Sequence, residues 1–369
     1  MRLRLEARAR PSRLMSWLSP VLAAGLTLAA GFVVFPLLGK DPLVAFHTFF
    51  VAPVNDLDGI AELLLKASPL MLIGVGLACG FRANVWNIGA EGQLVLGAIC
   101  AGGVALWFHD GGGPWLLPLM MLAGLAGGLA WAAIPALLRT RFNTNEILVS
   151  LMLVYVANLL LSWLVHGPWK DPDGFNFPQS RLFGEAALYP ILVEGTRLNL
   201  GLVVALAGVA AGYLLLARSF LGFQMRVGGH AAAAAGYAGF GARRLVWFGM
   251  LLGGGAAGLA GMGEVAGPIG QLQPQVSPGY GFAAIIVAFV GRLHPLGVLL
   301  ASLLMSLLYL GGESAQIGLA LPAAITGLFH GLLLFFLLGS DVFINYRLRA
   351  VRRPAVAGPA TAPTASTAP

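Results

Sequence analysis

The sequence predicts an all-α polytopic membrane protein that crosses the bilayer about ten times. Of its 369 residues, 58% are hydrophobic and only 10% are charged, whereas a soluble domain usually carries about 25% charged residues. The net charge is +7. Because the basic residues flank the apolar runs, this charge indicates orientation in a membrane and contact with lipid, and not a nucleic-acid partner.

Ten apolar runs account for most of the chain, and each except one is long enough to cross a hydrocarbon core of about 30 Å. The exception, 279–291, is short, and we expect a tilted, kinked or half-length helix there, as is common at transport sites. The ten predicted spans are 17–38, 60–80, 90–108, 115–138, 146–166, 199–217, 244–264, 279–291, 295–312 and 319–339.

The distribution of basic residues predicts that both termini are cytoplasmic. In this orientation most of the 22 Lys and Arg residues lie on the cytoplasmic side, as the positive-inside rule requires. The chain then divides into a basic cytoplasmic N-terminus (1–16), a transmembrane domain (17–340) with a cytoplasmic loop at 218–244, and a cytoplasmic tail (341–369). The tail is rich in Ala, Pro and Thr and is predicted to be disordered.

A polar stretch, Phe81–Gln93, separates two long apolar runs. A carboxylate at the centre of a membrane helix costs about 2.5–3.5 kcal/mol, so Glu91 needs a reason to be there. In one interpretation Asn87 caps a helix at the cytoplasmic surface and Glu91 lies in its first turn. In the other, Gly89 and Gly92 permit a broken or re-entrant segment that lines a polar path. Both can hold, because discontinuous helices place their ends at a substrate route.

A second polar group precedes and begins the short span, where three prolines interrupt the backbone. Its amides and phenol suit uncharged, hydroxylated molecules, although an ordinary polar outer loop is the alternative interpretation. The residues predicted to line a substrate path are Asn87, Glu91, Gln93, Gln271, Gln273 and Tyr280.

The longest internal loop, 218–244, contains the run Ala231–Ala235, which favours a short helix. Glycines at 228, 229, 236 and 239 bracket this run and are predicted to act as hinges. A basic loop resting on anionic lipid is the alternative. A compact alanine helix with an aromatic residue at Tyr237 favours protein docking.

Signatures of catalysis and metal binding are missing from the sequence. It has neither a P-loop nor a His-Glu-x-x-His sequence, and its six histidines are scattered. An ion-coupled carrier would usually show several acids or bases within its spans. The sequence therefore predicts a protein that moves a solute, is not an enzyme and does not itself supply the energy. Gly124-x-x-x-Gly128 and Gly254-x-x-x-Gly258 predict close helix packing, within one subunit more than between two.

Four stretches together resemble the membrane subunits of bacterial ABC importers. The resemblance is to the simple-sugar and nucleoside permeases, a branch related to the ribose and branched-chain amino acid permeases, and it runs from about residue 40 to 340. In that family the cytoplasmic coupling segment usually has Asn-Pro where this chain has Ala231-Ala232. The stretches that carry the likeness are Phe81–Gln93, Asn145–Leu153, Leu221–Gly239 and Ser277–Gly297.

The resemblance implies a permease subunit in a bacterial cytoplasmic membrane that imports a nucleoside or related simple sugar by alternating access. It implies three partners: a cytoplasmic ABC ATPase, a second permease that is a copy or a paralogue, and an external substrate-binding lipoprotein. ATP would be used by the ATPase, and this chain would bind no cofactor. Two alternatives are a secondary carrier or channel for a small polar solute and a permease for branched-chain amino acids. The residues matched to ATPase coupling are Arg226, Gly229, Ala234, Ala235, Tyr237 and Gly239.

Overall fold

The computed structural model describes residues 2–8, 12–109 and 111–351, and in these the fold is almost entirely helical, as predicted. Two strands lie near the two ends of the chain, and three short 3₁₀- or π-helical turns (His47–Val51, Ala52–Val54 and Glu185–Ala187) lie in connecting segments. The elements are β1 (Arg2–Ala7), α1 (Arg13–Leu37), α2 (Pro42–Phe46), α3 (Leu57–Arg82), α4 (Ala90–Trp107), α5 (Leu116–Phe142), α6 (Glu146–His166), α7 (Gly201–Arg218), α8 (Phe220–His230), α9 (Ala232–Tyr237), α10 (Ala242–Glu264), α11 (Tyr280–Val290), α12 (Pro295–Leu319), α13 (Ala324–Asn345) and β2 (Tyr346–Val351).

Within the described residues, nine helices are long and apolar enough to cross a membrane, namely α1, α3, α4, α5, α6, α7, α10, α12 and α13. The short tenth span is α11, with 11 residues. The predicted boundaries between the last two spans are wrong, because α12 continues to Leu319 instead of ending at 312 and α13 begins at Ala324 instead of 319. Near the predicted end, α12 is in close contact with another segment, since a Cβ at Gly311 would lie 2.1 Å from the carbonyl oxygen of Phe49.

The two strands pair antiparallel, with Arg2 opposite Val351 and Ala7 opposite Tyr346. The ends of the described chain therefore lie on the same side of the bundle, which requires an even number of crossings. Nine full-length helices give an odd number, so α11 and the non-helical segment at 270–279 together make the tenth crossing. Consistent with this, the turn after α11 meets the same side, because Arg292 pairs with Asp341 near the end of α13.

The predicted disordered tail is wrong over 341–351. Helix α13 continues to Asn345 because Val342, Phe343 and Ile344 extend its apolar run, and β2 follows directly. The alternating pattern Tyr-Arg-Leu-Arg-Ala-Val has the period of a strand, and β1 supplies its partner. The rest of the predicted tail, from residue 352, lies outside the described residues.

The centre of the bundle is a close-packed group formed by α3, α4, α5 and α10. A Cβ at Gly258 would lie 2.2 Å from the carbonyl oxygen of Gly124, and one at Gly128 would lie 2.1 Å from that of Gly254. The two small-residue patterns thus pack against each other inside one chain. The prediction of packing within one subunit is confirmed for these glycines, which let the backbones of α5 and α10 touch.

Candidate transport site and docking segment

Two helix N-termini meet in the middle of the bundle. After α3 ends at Arg82, the segment 83–89 turns back into the bundle without helical structure, and α4 begins at Ala90. Asn87 contacts α10 at Gly253, because a Cβ atom added to Gly253 would lie 2.9 Å from the Asn87 Nδ2 atom. At a rise of about 1.5 Å per residue, Gly253 lies about 16 Å from the start of α10 at Ala242. This depth places the start of α4 near the middle of the bilayer, which supports the re-entrant interpretation.

Asn87 is not the cap that the first interpretation expected. The N-cap of α4 is Gly89, which has no side chain, and Asn87 Oδ1 accepts only from the backbone N–H of Gly89 itself (3.1 Å), not from an N–H inside the helix. Instead the Asn87 Nδ2 group donates to Gln93 Oε1 (2.7 Å), and the Gln93 Nε2 group donates back to Asn87 Oδ1 (3.1 Å). Both side chains are fully buried. This amide pair holds the re-entrant segment to α4.

Glu91 links the N-termini of α4 and α11. Its carboxylate accepts a 2.6 Å hydrogen bond from the backbone N–H of Gly281, in the first turn of α11. The positive end of a helix dipole favours a carboxylate, which gives Glu91 its reason to be at this depth. Contact is so close that a Cβ at Gly281 would lie 2.2 Å from the Glu91 nitrogen. Glu91 therefore fixes the N-terminus of α11 to α4.

The other end of α11 is fixed as well. Arg292 and Leu293, in the turn to α12, both have positive φ (57° and 53°). The Arg292 guanidinium donates two hydrogen bonds to Asp341 of α13, of 2.7 and 2.5 Å, and Ser19 of α1 donates to the same carboxylate (2.6 Å). Helix α11 is thus fixed at its N-terminus by the Glu91 carboxylate and, through the turn that follows it, by the Asp341 carboxylate.

A cleft of about 470 Å³ opens on the side opposite the termini and reaches down to the start of α11. Its walls come from the outer halves of α3, α10 and α12, and its floor from the segment that precedes α11. The lining residues include Glu62, Lys66, Arg197, Glu264, Gln273, Gln275, Ser277, Tyr280 and Glu313.

The structure brings together two of the six predicted path residues in this cleft, Gln273 and Tyr280. Gln271 lies apart, since its Nε2 group donates to Gln179 of the outer loop (3.2 Å). Asn87, Glu91 and Gln93 are not among the lining residues, and Glu91 reaches α11 at Gly281, directly after Tyr280. Of the six residues, two line the cleft, three lie buried where they hold α4 and α11 in place, and Gln271 contacts the outer loop.

Sequence reasoning missed the charged residues of the cleft. Arg197 makes two hydrogen bonds to Glu62, of 2.7 and 2.8 Å, and these raise the pKa of the Arg197 guanidinium above its ordinary value. Lys66 donates to Glu313 at 2.8 Å. The positions of Glu62 and Lys66, one helical turn apart on α3, were the available signal.

The predicted span 244–264 ends at Glu264, as α10 does, but the structure places this side chain inside the bundle. A π-helical turn, Val265–Ile269, extends α10 by five residues beyond it. Its side chain is only 7% exposed and lines the cleft. A smaller cavity beside it is bordered by Tyr189, and burial raises the pKa of that phenol to about 12.

On the opposite side of the bundle, the predicted loop 218–244 forms two helices, α8 and α9. Helix α9 is the expected alanine helix, but Gly228 and Gly229 are not hinges, because both belong to α8. A Cβ at Gly229 would lie 2.0 Å from the Arg82 carbonyl oxygen at the end of α3, and one at Gly228 would lie 2.3 Å from Leu245 of α10. These two glycines allow α8 to pack closely against α3 and α10, both of which border the cleft.

Helix α9, which follows α8, is mostly exposed. Tyr237 is 98% exposed, and an aromatic cluster of Phe220, Phe223 and Phe240 joins the two ends of the segment. Among the six predicted coupling residues, Arg226, Ala234, Tyr237 and Gly239 are exposed, Gly229 is half-buried and Ala235 is buried. The segment 220–240 presents a projecting face, and we refer to it as the docking segment.

Comparison with known proteins identifies the family. The family described as branched-chain amino acid transport system / permease component matches residues 59–338. The chain is 38% identical over 356 residues to the glucose ABC transporter permease protein TsgB13 of Haloferax volcanii, covering 94% of this chain and 93% of the relative. It is 29% identical over 333 residues to the guanosine ABC transporter permease protein NupP of Bacillus subtilis, covering 89% and 94%.

A third relative is the nucleoside ABC transporter permease protein NupB of Lactococcus lactis, 27% identical over 305 residues, with 80% of this chain and 83% of the relative covered. No solved structure matches the chain. The apolar spans and the family agree on a multi-pass integral protein of the cell membrane. The chain belongs to the family of branched-chain amino acid transport system permease components.

Proposed function

We propose that this chain is the membrane-spanning subunit of an ATP-driven importer and moves a sugar or a nucleoside by alternating access. The observation that carries the proposal is the cleft above α11. Its cations, Lys66 and Arg197, are each paired with a carboxylate, and its remaining polar lining consists mainly of amides, hydroxyls and one further carboxyl group. Such a lining suits an uncharged solute with many hydroxyl groups.

The relatives support this choice of cargo. Those named above are described as permeases for glucose, guanosine and nucleosides, and all three solutes are hydroxylated. A branched-chain amino acid, the cargo in the family's name, carries an ammonium and a carboxylate and would need a free charge of each sign. Both cations of the cleft are already paired, which favours the hydroxylated solutes.

The docking segment supports the ATP-driven mechanism. Helix α8 rests on the inner end of α3 and the start of α10, and the outer halves of these two helices carry Glu62, Lys66 and Glu264 of the cleft wall. A partner that pushes on α9 would move both walls as rigid levers, which is one way to switch between outward and inward access. In this scheme a separate ATPase uses the ATP, and this chain is not catalytic and binds no cofactor.

A second permease and an external substrate-binding lipoprotein complete the proposed assembly. The second permease, a copy or a paralogue, would close the remaining side of the path. Cargo would reach the cleft from the binding protein, and ATP binding to the ATPase would shift the population from the outward to the inward state. The solute itself would leave toward the cytoplasmic side.

The test compares two proline variants in α9 for ATPase recruitment. In Ala235→Pro, the proline removes the hydrogen bond from the Ala235 N–H to the Ala231 carbonyl (2.9 Å) and its ring clashes with that oxygen. In Ala232→Pro, the proline occupies the first helical position, where it is tolerated. We expect Ala235→Pro to abolish co-purification of the ATPase in nanodiscs and Ala232→Pro to retain it.

The same preparations report on the energy source. Wild-type uptake into proteoliposomes should require the ATPase and ATP. Wild-type protein that recruits no ATPase, or that takes up solute in response to a proton or sodium gradient alone, would replace the proposal with a secondary carrier. Equal ATPase recruitment by both proline variants would instead show that the ATPase does not dock on α9.

A further inference from the structure

Glu264 is set apart from the other charged residues of the cleft. Glu62 is paired with Arg197 and Glu313 with Lys66, but in the described part of the chain no group donates a hydrogen bond to the Glu264 carboxyl. The side chain is 93% removed from solvent and borders the cleft. A buried acceptor without a donor is costly, more so when it carries a charge.

Lys66 could relieve this cost but is turned away from it. It lies near enough to act on Glu264 electrostatically, yet its ammonium group donates to Glu313. The Glu91 carboxylate is occupied by Gly281. Among the described residues, none therefore occupies the carboxyl oxygens of Glu264, which border the cleft.

We propose that Glu264 is a specificity-determining residue that accepts hydrogen bonds from adjacent hydroxyl groups of the cargo. The two oxygens of a carboxyl group lie side by side and can form hydrogen bonds with two neighbouring O–H groups at once. The amide of Gln273 and the phenol of Tyr280 border the same space and supply further donors. Cargo without adjacent hydroxyls leaves the buried carboxyl unpaired and is rejected.

This inference rests on the proposed function and is tested on the whole transporter. The chain is reconstituted in proteoliposomes with its ATPase, second permease and binding protein, and the binding protein is kept saturating. The probes are guanosine against 2′,3′-dideoxyguanosine, and glucose against 2-deoxyglucose and 3-deoxyglucose. The variants are Glu264→Gln and the control Glu194→Gln, which changes an exposed carboxylate in the outer loop.

We expect wild type to move the hydroxylated probe about tenfold faster than its deoxy counterpart. Glu264→Gln should slow the hydroxylated probe about tenfold and leave the deoxy probe unchanged, so that the ratio of the two rates falls to about one. Glu194→Gln should keep the wild-type ratio. A ratio that survives in Glu264→Gln, or an equal loss for both probes, overturns the inference.

Thermal unfolding of the same variants separates this role from a structural one. Because the carboxyl has no donor, Glu264→Gln should melt at or above the wild-type temperature, whereas a stabilising role for the carboxyl requires a lower one. If wild type moves neither pair of probes with all partners present, the proposed function has failed. If wild type moves them and the variant discriminates equally well, only the role of Glu264 has failed.

Discussion

The helices around the cleft and the docking segment at the opposite face are held in contrasting ways. In the close-packed group, which includes the cleft walls α3 and α10, the helices α4, α5 and α10 touch backbone to backbone, and every residue from 67 to 81 in α3 is buried. In the docking segment, α9 buries Ala235 and leaves most of its length exposed. The walls of the cleft can therefore move only as units, whereas most of the surface of α9 is exposed.

The largest expected effect is on the close-packed group. In Gly258→Ala, the new methyl group would meet the Gly124 carbonyl oxygen at 2.2 Å, and backbone cannot move aside as a flexible side chain can. Overpacking of this kind costs about 1–3 kcal/mol. We expect a lower melting temperature and less monodisperse protein in detergent, measured by size exclusion after heating.

The matched control is Gly331→Ala in α13, where a Cβ would meet no described atom within 4 Å. Alanine favours a helix over glycine by about 1 kcal/mol, so this control should melt at or slightly above the wild-type temperature. If both variants melt alike, the walls of the cleft are not the rigid units described above.

The second effect, smaller in stability but large in transport, concerns Glu91. In Glu91→Ala the Gly281 N–H loses its acceptor (2.6 Å in the wild type), which costs about 1–3 kcal/mol. The N-terminus of α11 is then released while the rest of the bundle stays packed. We expect normal membrane insertion and about a tenfold loss of ATP-driven uptake, since about 1.4 kcal/mol corresponds to a factor of ten.

Two controls sharpen this result. Glu91→Gln keeps an acceptor oxygen and should lose less uptake than Glu91→Ala, while Glu185→Ala, an exposed carboxylate of the outer loop, should lose none. Full wild-type uptake by Glu91→Ala at equal expression would mean that fixing the start of α11 is unnecessary for transport.

Sequence patterns predicted the close-packed helices well because long apolar runs have few alternatives in a bilayer. The short span at 279–291 and the polar stretch at 81–93 were both found from the lengths of apolar runs. The contact between Glu91 and Gly281 could not be predicted, because it joins residues 190 positions apart. No local pattern encodes such a pairing.

The errors have physical causes of the same kind. The predicted span 244–264 stops at Glu264, whereas a π-helical turn, which has no simple sequence signal, continues the span to Ile269. Gly228 and Gly229 looked like hinges, yet they are glycine because α3 and α10 approach α8 closely. A glycine pattern alone does not separate flexibility from contact.

The smallest expected effect is a stabilisation of the docking segment itself. The N-cap of α9 is Ala231, which has no side-chain oxygen to accept a hydrogen bond from the first N–H groups of the helix. Ala231→Asn supplies one, and Asn at this position is worth about 1 kcal/mol over Ala. We expect hydrogen exchange at the amides of Ala234 and Ala235 to slow about fivefold, the factor to which about 1 kcal/mol corresponds.

The control for this last variant is Ala234→Asn, within the same helix and exposed. Asn inside a helix is less favourable than Ala, so exchange should quicken there. If Ala231→Asn slows exchange without changing ATPase recruitment, α9 already docks in its helical form and its stability does not limit coupling. Equal exchange in the two variants would show that Ala231 does not begin the helix, and the contrast between a rigid wall and a loosely capped docking segment would be lost.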